Sequence, residues 1–223
     1  GSHHRGYLIF ASELSALKEH PKFQPNVDKN VLKNYINLGY VPPAQCIFSG
    51  VSKVLPGSYI VIDPDNLEIS QHLYWDSAKE ALLAKKNQFK GNFMDASTVL
   101  EELLIKKISN QMISDVPLGA FLSGGIDSSL VTAIMQSQSM TPIQTFTIGF
   151  QEAEWDESSH ARRVADALGT DHTESKVTFQ DAINIIPSLS TIYSEPFADA
   201  SQIPTHAVSQ IAKKNVVVAL TGD

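Results

Sequence analysis

The chain has 223 residues, 43% of them hydrophobic and 18% charged, with 12 Gly and 11 Pro. This composition is typical of globular proteins and excludes collagen-like, low-complexity and disordered chains. The 24 acidic and 17 basic side chains give a net charge of −7, which repels phosphate backbones, so we expect no nucleic-acid partner. The longest apolar run, residues 216–220, is far shorter than the ~20 residues of a membrane span. Because no signal-peptide pattern is present either, we expect a cytoplasmic protein with no membrane partner.

Short elements and turns are predicted for the first part of the chain. Residues 7–10 form an apolar strand pattern, and Ser12 is placed to cap a following helix. Asp28 is placed to cap a second helix, which Gly39 ends. The single cysteine, Cys46, excludes a disulfide framework and any multi-cysteine metal site. Its internal position in a Pro-flanked loop indicates a packing role.

Two strand patterns follow, at residues 58–63 and 68–75, and the turn-forming residues between them predict a tight connection. Residues 78–94 are polar and rich in Lys, and we interpret them as a linker. The alternative for this stretch is a solvated helix face. The predicted organisation is therefore a first domain at 1–77, a linker at 78–94 and a second domain at 95–223.

Helix and strand patterns alternate from residue 95 onward. Apolar residues at helical spacing predict helices at 99–112, 129–135, 161–168, 179–193 (with a break at Pro187) and 205–214. Apolar runs predict strands at residues 118–122, 144–148, 170–175 and 216–220. This alternation is typical of a parallel sheet with helices on both faces. Ligands of such sheets bind beyond the carboxyl ends of the strands, which points to Ser123, Gly149 and Thr221.

The strongest functional signal is the segment Ser123-Gly124-Gly125-Ile126-Asp127-Ser128-Ser129. It follows a predicted strand and opens a helix, and its two glycines let backbone N–H groups approach an anion closely. The helix N-terminus adds unpaired donors and a partial positive charge. Because the Asp127 carboxylate would repel phosphates unless a divalent cation bridges them, it argues for Mg²⁺. The segment lacks the Gly-Lys-Ser/Thr ending of a Walker-type loop, and the alternative to a ligand site is a plain strand–helix turn.

The Ser-Gly-Gly-x-Asp-Ser pattern resembles the pyrophosphate loop of the N-type ATP pyrophosphatases, and the flanking sequence is similar to the glutamine-hydrolysing asparagine synthetase family. The similarity extends over residues 116–122, 145–150, 156–172, 194–199 and 220–223. Residues 10–14 and 55–59 resemble the last third of the family's glutaminase domain. The resemblance implies an α/β domain of the adenine nucleotide alpha hydrolase type at 95–223. It also implies that residues 1–77 are the C-terminal part of a class II glutaminase-type α+β domain.

The resemblance also implies a reaction and the residues of its site. The implied reaction uses ATP and Mg²⁺ to activate aspartate as an acyl-adenylate, which ammonia from glutamine converts to asparagine. The implied nucleotide-binding residues are Leu122, Ser123, Gly124, Gly125, Asp127, Ser128, Ser129, Ile148, Gly149, Thr221 and Gly222, with Asp127 also the metal ligand. Asp223 stands where the family has a catalytic acidic residue, commonly Glu; as a terminal residue it could equally be frayed and inert.

Other acidic residues and the ends of the sequence add further expectations. Glu195 and Asp199 could help to hold metal or substrate, and their alternative role is to cap the next helix. The family's glutaminase nucleophile is a Cys at the mature N-terminus, which Cys46 is not. The family sequence also continues beyond the position of Asp223. We therefore expect an internal slice of a longer enzyme that by itself neither hydrolyses glutamine nor forms an amide, with aspartate, glutamine or ammonia as partners and homodimer formation left open.

Three alternative functions remain open at this stage. A related amidotransferase or a β-lactam synthetase-like enzyme would act on another carboxylate. A sulfur- or RNA-handling pyrophosphatase would need paired cysteines and a basic face, and the sequence has neither. A non-catalytic interaction module would keep the fold alone, and binding of ATP·Mg²⁺ by the chain would distinguish it from an enzyme.

Overall fold

The computed structural model of the protein describes residues 7–150 and 158–222. The chain divides into two compact units, which we call unit 1 (Gly1–Gln88 and Ser188–Asp199) and unit 2 (Phe89–Pro187 and Ala200–Asp223). Within the described ranges, every helix is too short or too polar to cross a membrane.

The helices and strands follow the chain in this order. The helices are α1 (Leu14–Lys18), α2 (Lys29–Leu38), α3 (Ser77–Lys86), α4 (Phe93–Gln111), α5 (Ile126–Ser137), α6 (Ser158–Leu168), α7 (Phe179–Ile185), α8 (Leu189–Ile192) and α9 (Gln202–Ala212). The strands are β1 (Ser58–Ile62), β2 (Ile69–Leu73), β3 (Leu118–Phe121), β4 (Gln144–Phe150), β5 (Asp171–Val177) and β6 (Val218–Leu220). A 3-10 turn at Ile186–Ser188 separates α7 from α8, at the predicted break.

Unit 1 combines short helices with the antiparallel pair β1–β2. As predicted, the Asp28 side chain accepts hydrogen bonds from the first turn of α2, and Gly39 ends that helix in the left-handed region, at φ +80°. The core of the unit is a cluster of buried residues, Leu14, Leu17, Val31, Val41, Cys46, Ile47 and Phe48. Cys46 is therefore a packing residue, as its sequence position indicated.

Two predictions for the first part of the chain are wrong. Residues 7–10 are irregular, and none of the described residues pairs with them as a strand. Helix α1 follows Glu13 rather than Ser12 as its N-cap residue, and no side-chain cap is formed. Residues 78–94, interpreted as a linker, contain most of α3, an irregular stretch at 87–92 and the beginning of α4, and the boundary between the two units at Gln88 and Phe89 falls within them. Asp76 caps α3, two lysines lie in its last turn and none of its residues is buried, so the alternative of a solvated helix describes it.

Unit 2 is built on a four-stranded parallel sheet in the order β5-β4-β3-β6. Successive residues of β3 point to opposite faces: Ala120 packs with residues of α4 and α5, whereas Phe121 packs against α9. Beyond the strand, Leu122 packs with Ala161 and Ala165 of α6. Helices therefore cover both faces, and the predicted parallel α/β architecture is confirmed.

The strand order reverses at β3. From β3 the chain proceeds through α5 to β4 and through α6 to β5, whereas β6 pairs with the other edge of β3. In open parallel sheets, the crevice at such a reversal, beyond the carboxyl ends of the strands, is where ligands bind. A ligand of this sheet is therefore expected at the carboxyl ends of β3 and β6.

Candidate functional site

The segment at residues 123–129 connects β3 to α5 and is held by its own serines. The Oγ atoms of Ser123 and Ser128 lie 2.9 Å apart, and the Ser123 N–H donates to Ser128 Oγ at 3.2 Å. The Gly125 N–H donates to Ser123 Oγ at 3.3 Å. Gly124 has φ +82°, and a Cβ there would lie 2.6 Å from the backbone nitrogen of Ala161. Only glycine satisfies both the backbone conformation and this close approach.

The N-terminus of α5 is left open to a ligand. Its N-cap residue, Gly125, makes no side-chain hydrogen bond to the first turn. Ser129 Oγ is buried and has no hydrogen-bond partner within the ranges that the structure describes. Unpaired N–H groups, the positive end of the helix dipole and an unused hydroxyl are the donors that an anion requires. The donor set therefore fits a phosphate group.

Strand β6 brings a second backbone segment to the same place. A Cβ on Gly222 would lie 2.5 Å from the nitrogen of Ser128 and 2.8 Å from the carbonyl carbon of Asp127. The Gly222 backbone therefore packs directly against the first turn of α5. The loop after β3 and the end of β6 therefore meet at one edge of the sheet, as expected for the carboxyl ends of parallel strands. Asp223 lies outside the described residues.

Leu122, Ile148 and Gly149, which the sequence analysis named as nucleotide-binding residues, lie near the same edge of the sheet but differ in their surroundings. Phe121 pairs with Phe146, so Ile148 is level with Ser123. Gly149 is still inside β4, which runs to Phe150, two residues beyond the predicted end. Leu122 is 1% exposed and belongs to the core cluster with α6. The Leu122 side chain is therefore a core residue that is shielded from a ligand.

Asp127 lies exposed in the first turn of α5. Across residues 7–150 and 158–222, no group of three or more His, Cys, Asp or Glu side chains could hold a metal ion. A Mg²⁺ ion at Asp127 would therefore take most of its ligands from phosphate oxygens and water, which is its usual arrangement with nucleotides.

Helix α6 contributes two basic side chains that the sequence analysis did not single out. A cavity of about 500 Å³ adjoins the loop, and its lining includes Gly124, Ser129, His160 and Arg163. The Arg163 guanidinium lies 2.9 Å from His160 Nδ1. The signal was present in the sequence, because residues 160 and 163 lie three positions apart and therefore share one face of a helix.

Glu195 has a role other than those considered from the sequence. Glu195 lies in unit 1, where one carboxylate oxygen is 2.7 Å from Lys53 Nζ and the other accepts the Ile47 N–H at 2.8 Å. Helix α9 begins at Gln202 with Ser201 as its N-cap residue.

The thiol of Cys46 is poorly suited to nucleophilic attack. Cys46 is 2% exposed. Burial raises the pKa of this thiol, and the neighbouring Glu195 carboxylate also acts to raise it. Since the thiolate is the reactive form, this environment suppresses nucleophilic reactivity at neutral pH.

The comparisons with known proteins identify the family. The model of the family described as asparagine synthase matches residues 99–223, more than half of the chain. The chain belongs to the asparagine synthase family. A glutamine amidotransferase domain model also matches, at residues 1–75. Both matches agree with the resemblance stated from the sequence, and the asparagine synthase match contains the β3–α5 loop.

Two relatives show how much of a complete protein the matched region represents. The putative glutamine-hydrolyzing asparagine synthetase 2 of Methanocaldococcus jannaschii is 36% identical over 97% of this chain and 41% of its own length. Glutamine-hydrolyzing asparagine synthetase 1 of Bacillus subtilis is 32% identical over 97% of this chain and 33% of its own length. The chain thus spans less than half the length of these members of the asparagine synthase family.

Among solved structures, the NH3-dependent NAD synthetase of Campylobacter jejuni aligns with 57% of this chain and 56% of its own. Its identity of 16% and TM-score of 0.35 are too low to bear on the fold.

Proposed function

We propose that unit 2 binds ATP with Mg²⁺ at the carboxyl ends of β3 and β6, and that the whole protein uses this ATP to amidate the carboxylate of aspartate. The observation that carries the proposal is the packing of Gly222 against the uncapped N-terminus of α5. This packing brings the glycine-rich loop and the end of β6 together at the reversal of the strand order. Membership of the asparagine synthase family supports the choice of ligand and reaction.

The donors of the loop would hold the β- and γ-phosphates of ATP. These donors are the N–H groups of the first turn of α5 and the Ser129 hydroxyl, which has no other partner among the described residues. Asp127 would hold Mg²⁺, which supplies positive charge to offset that of the phosphates. Held in this way, pyrophosphate is the leaving group and the α-phosphorus is open to in-line attack.

The reaction then proceeds in two steps. A carboxylate oxygen of aspartate forms a bond to the α-phosphorus of ATP. The bond between that phosphorus and the oxygen that bridges it to the β-phosphorus breaks, which gives the acyl-adenylate and pyrophosphate. Ammonia next attacks the acyl carbon, AMP leaves and the proton released by the amine passes to a base. The glutamine amidotransferase match at residues 1–75 supports glutamine as the ammonia source.

Calorimetric titration of the purified chain with ATP, with and without Mg²⁺, tests the binding step. We expect ATP to bind and Mg²⁺ to strengthen the binding, and no heat of binding under either condition would contradict the proposal. Pyrophosphate release by the whole protein tests the substrate. Release that depends on aspartate supports amidation of aspartate, whereas release that depends on another carboxylate favours the related amidotransferases.

A further inference from the structure

Helix α6 brings two basic side chains to the glycine-rich loop within unit 2. A Cβ on Gly124 would lie 2.7 Å from the Cβ of His160, so the loop packs directly against the beginning of α6. The cavity of about 500 Å³ between α5 and α6 is lined by Gly124 and Ser129 on the side of the loop and by His160 and Arg163 on the side of α6. We call it the α5–α6 cavity.

The two arginines of α6 differ in what they contact. Arg162 binds the Glu174 carboxylate of β5 through Nε at 3.0 Å and through Nη2. Arg163 Nη2 instead lies 2.9 Å from His160 Nδ1. Because a guanidinium only donates hydrogen bonds, the His160 nitrogen accepts this one, and the bond does not neutralise the charge of Arg163. Among the described residues, no carboxylate forms an ion pair with Arg163.

The lining of the α5–α6 cavity suits an anion. The Ser129 hydroxyl is buried and has no partner among the described residues. No acidic residue of the described ranges lines the cavity, and its remaining walls are apolar side chains such as Val164 and Leu168. The guanidinium fork of Arg163 matches the geometry of two oxygens of a phosphate group. One cavity therefore offers a hydroxyl donor and a charged donor pair.

The proposed nucleotide needs positive charge that the loop does not supply. Residues 123–129 contain no Lys or Arg, and their one charged side chain is the Asp127 carboxylate. A single Mg²⁺ ion offsets only part of the charge of a triphosphate. Arg163 is placed to offset more of it, because it shares the cavity with Gly124 and Ser129 of the loop.

We propose that Arg163 binds the γ-phosphate of ATP, and thus one end of the pyrophosphate that leaves, in the α5–α6 cavity. The inference rests on the proposed function, which supplies ATP as the ligand. The γ-phosphate is the end that enters the cavity, because the α-phosphorus has to stay open to the attacking carboxylate. The Arg163 guanidinium donates to two γ-oxygens, and its charge stabilises the pyrophosphate as it leaves.

Calorimetric titration with three probes tests the assignment on the purified chain. The probes are ATP, inorganic pyrophosphate and AMP, each in the presence of Mg²⁺. Wild type is compared with Arg163→Gln, which removes the charge, and with Arg163→Lys, which keeps the charge but not the fork. The matched control is Lys107→Gln, which removes the same charge at an exposed position of α4 in unit 2.

We expect Arg163→Gln to weaken the binding of ATP and of pyrophosphate about tenfold each, because two charge-assisted hydrogen bonds are lost. The affinity for AMP should stay within about 1.5-fold of wild type, since AMP has no γ-phosphate. Arg163→Lys should weaken the binding of ATP about threefold, because an ammonium cannot contact two oxygens as the fork does. Lys107→Gln should bind all three probes within about 1.5-fold of wild type.

Unchanged affinity of Arg163→Gln for ATP and pyrophosphate would overturn the proposal. An equal loss for AMP would also overturn it, because Arg163 would then act on the nucleoside part or on the shape of the site. So would a wild-type chain that binds ATP but not pyrophosphate. Failure of wild type to bind ATP removes the proposed function itself, which distinguishes the two cases. If circular dichroism shows that Arg163→Gln is unfolded, Arg163→Lys decides, and wild-type affinity for ATP in that variant would exclude the contact.

Discussion

Two strand-to-helix junctions of the same sheet differ in how the helix begins. After β5, the Asp181 N–H donates to Thr178 Oγ1 at 3.1 Å and the Thr178 N–H donates to the Asp181 carboxylate at 2.9 Å, a reciprocal cap for α7. After β3, Gly125 gives α5 no side-chain cap. The closed junction satisfies the N–H groups of Thr178 and Asp181 within the chain, whereas the open junction stands at the reversal of the strand order without such a cap. Helices α1 and α9 also begin without a side-chain cap, so an open cap alone does not mark a ligand site. At α5 it coincides with a buried Ser129 hydroxyl that has no partner among the described residues and with the close approach of Gly222, and together these support the proposed ATP site.

The largest expected effect comes from Gly124→Ala at the open junction. Gly169 also has a positive φ, +69°, but has open space where a Cβ would be placed, so Gly169→Ala shares the backbone strain without the collision. We expect Gly169→Ala to cost about 1 kcal/mol and Gly124→Ala about 2–4 kcal/mol in urea denaturation. ATP affinity should fall more than about tenfold in Gly124→Ala alone. Equal losses of stability in the two variants would contradict the close packing of the loop.

Asp127→Ala tests the charge at the open junction. We expect the affinity for ATP in the presence of Mg²⁺ to fall about tenfold or more, because a charge-assisted contact is lost. Without Mg²⁺ the affinity should not fall, since the carboxylate then only repels phosphate. Asp115→Ala removes an exposed carboxylate elsewhere in unit 2 and serves as the control in the same calorimetric titrations. A loss of affinity that is the same with and without Mg²⁺ would exclude a metal-linked role for Asp127.

Thr178→Ala tests the closed junction. Loss of the N-cap should cost about 1 kcal/mol of stability and leave ATP affinity unchanged. Hydrogen bonds from Thr178 lower the pKa of the Asp181 carboxyl below its ordinary value of 3.8. The ionised Asp181 carboxylate therefore contributes fully to the free energy of unfolding above pH 3.8. This contribution is lost as the pH falls through the lowered pKa. In urea denaturation between pH 6 and pH 3, the free energy of unfolding should fall less steeply for Thr178→Ala than for wild type. Parallel curves for the two proteins would contradict the role given to Thr178.

His172, near the beginning of β5, gives the smallest expected effect. Burial lowers the pKa of His172 below its ordinary value of 6.5; Glu174 and Asp166 oppose this shift, and Arg162 adds to it. As the pH falls, His172 therefore binds a proton in the unfolded chain before it does so in the folded chain. The contribution of neutral His172 to the free energy of unfolding is complete above pH 6.5 and declines as the pH falls towards the lowered pKa. Between pH 7.5 and pH 5.5, the denaturation midpoint of wild type should fall more than that of His172→Asn. An identical fall in both proteins would show that His172 is not the responsible group.

Features with a local signal could be predicted from the sequence. The Asp28 cap and the Gly39 stop each depend on residues within one or two turns of α2. The convergence of Ser123 and Gly222 also could be predicted, because parallel strands align their carboxyl ends at one edge. The open cap of α5 follows from Gly125 at the position where Ser, Thr, Asp or Asn usually stands.

Features that depend on distant contacts could not be predicted. The place of Ser188–Asp199 in unit 1 rests on Glu195 with Lys53 and Ile47, partners more than a hundred positions away. No periodicity or turn pattern near residue 195 records them. The strand prediction for residues 7–10 fails for a related reason, because an apolar run forms a strand only where another strand pairs with it, and none of the described residues does so.

The pairing of β3 with β6 has a consequence for how the molecule is made. Leu118 pairs with Val218, a closure that spans 100 positions of the chain. Parallel pairings over such distances form slowly, because the entropy of closing the loop is lost before any contact is gained. During synthesis the β3–α5 loop is therefore made well before β6, and the edge at which Gly222 meets the first turn of α5 can form only after β6 has docked.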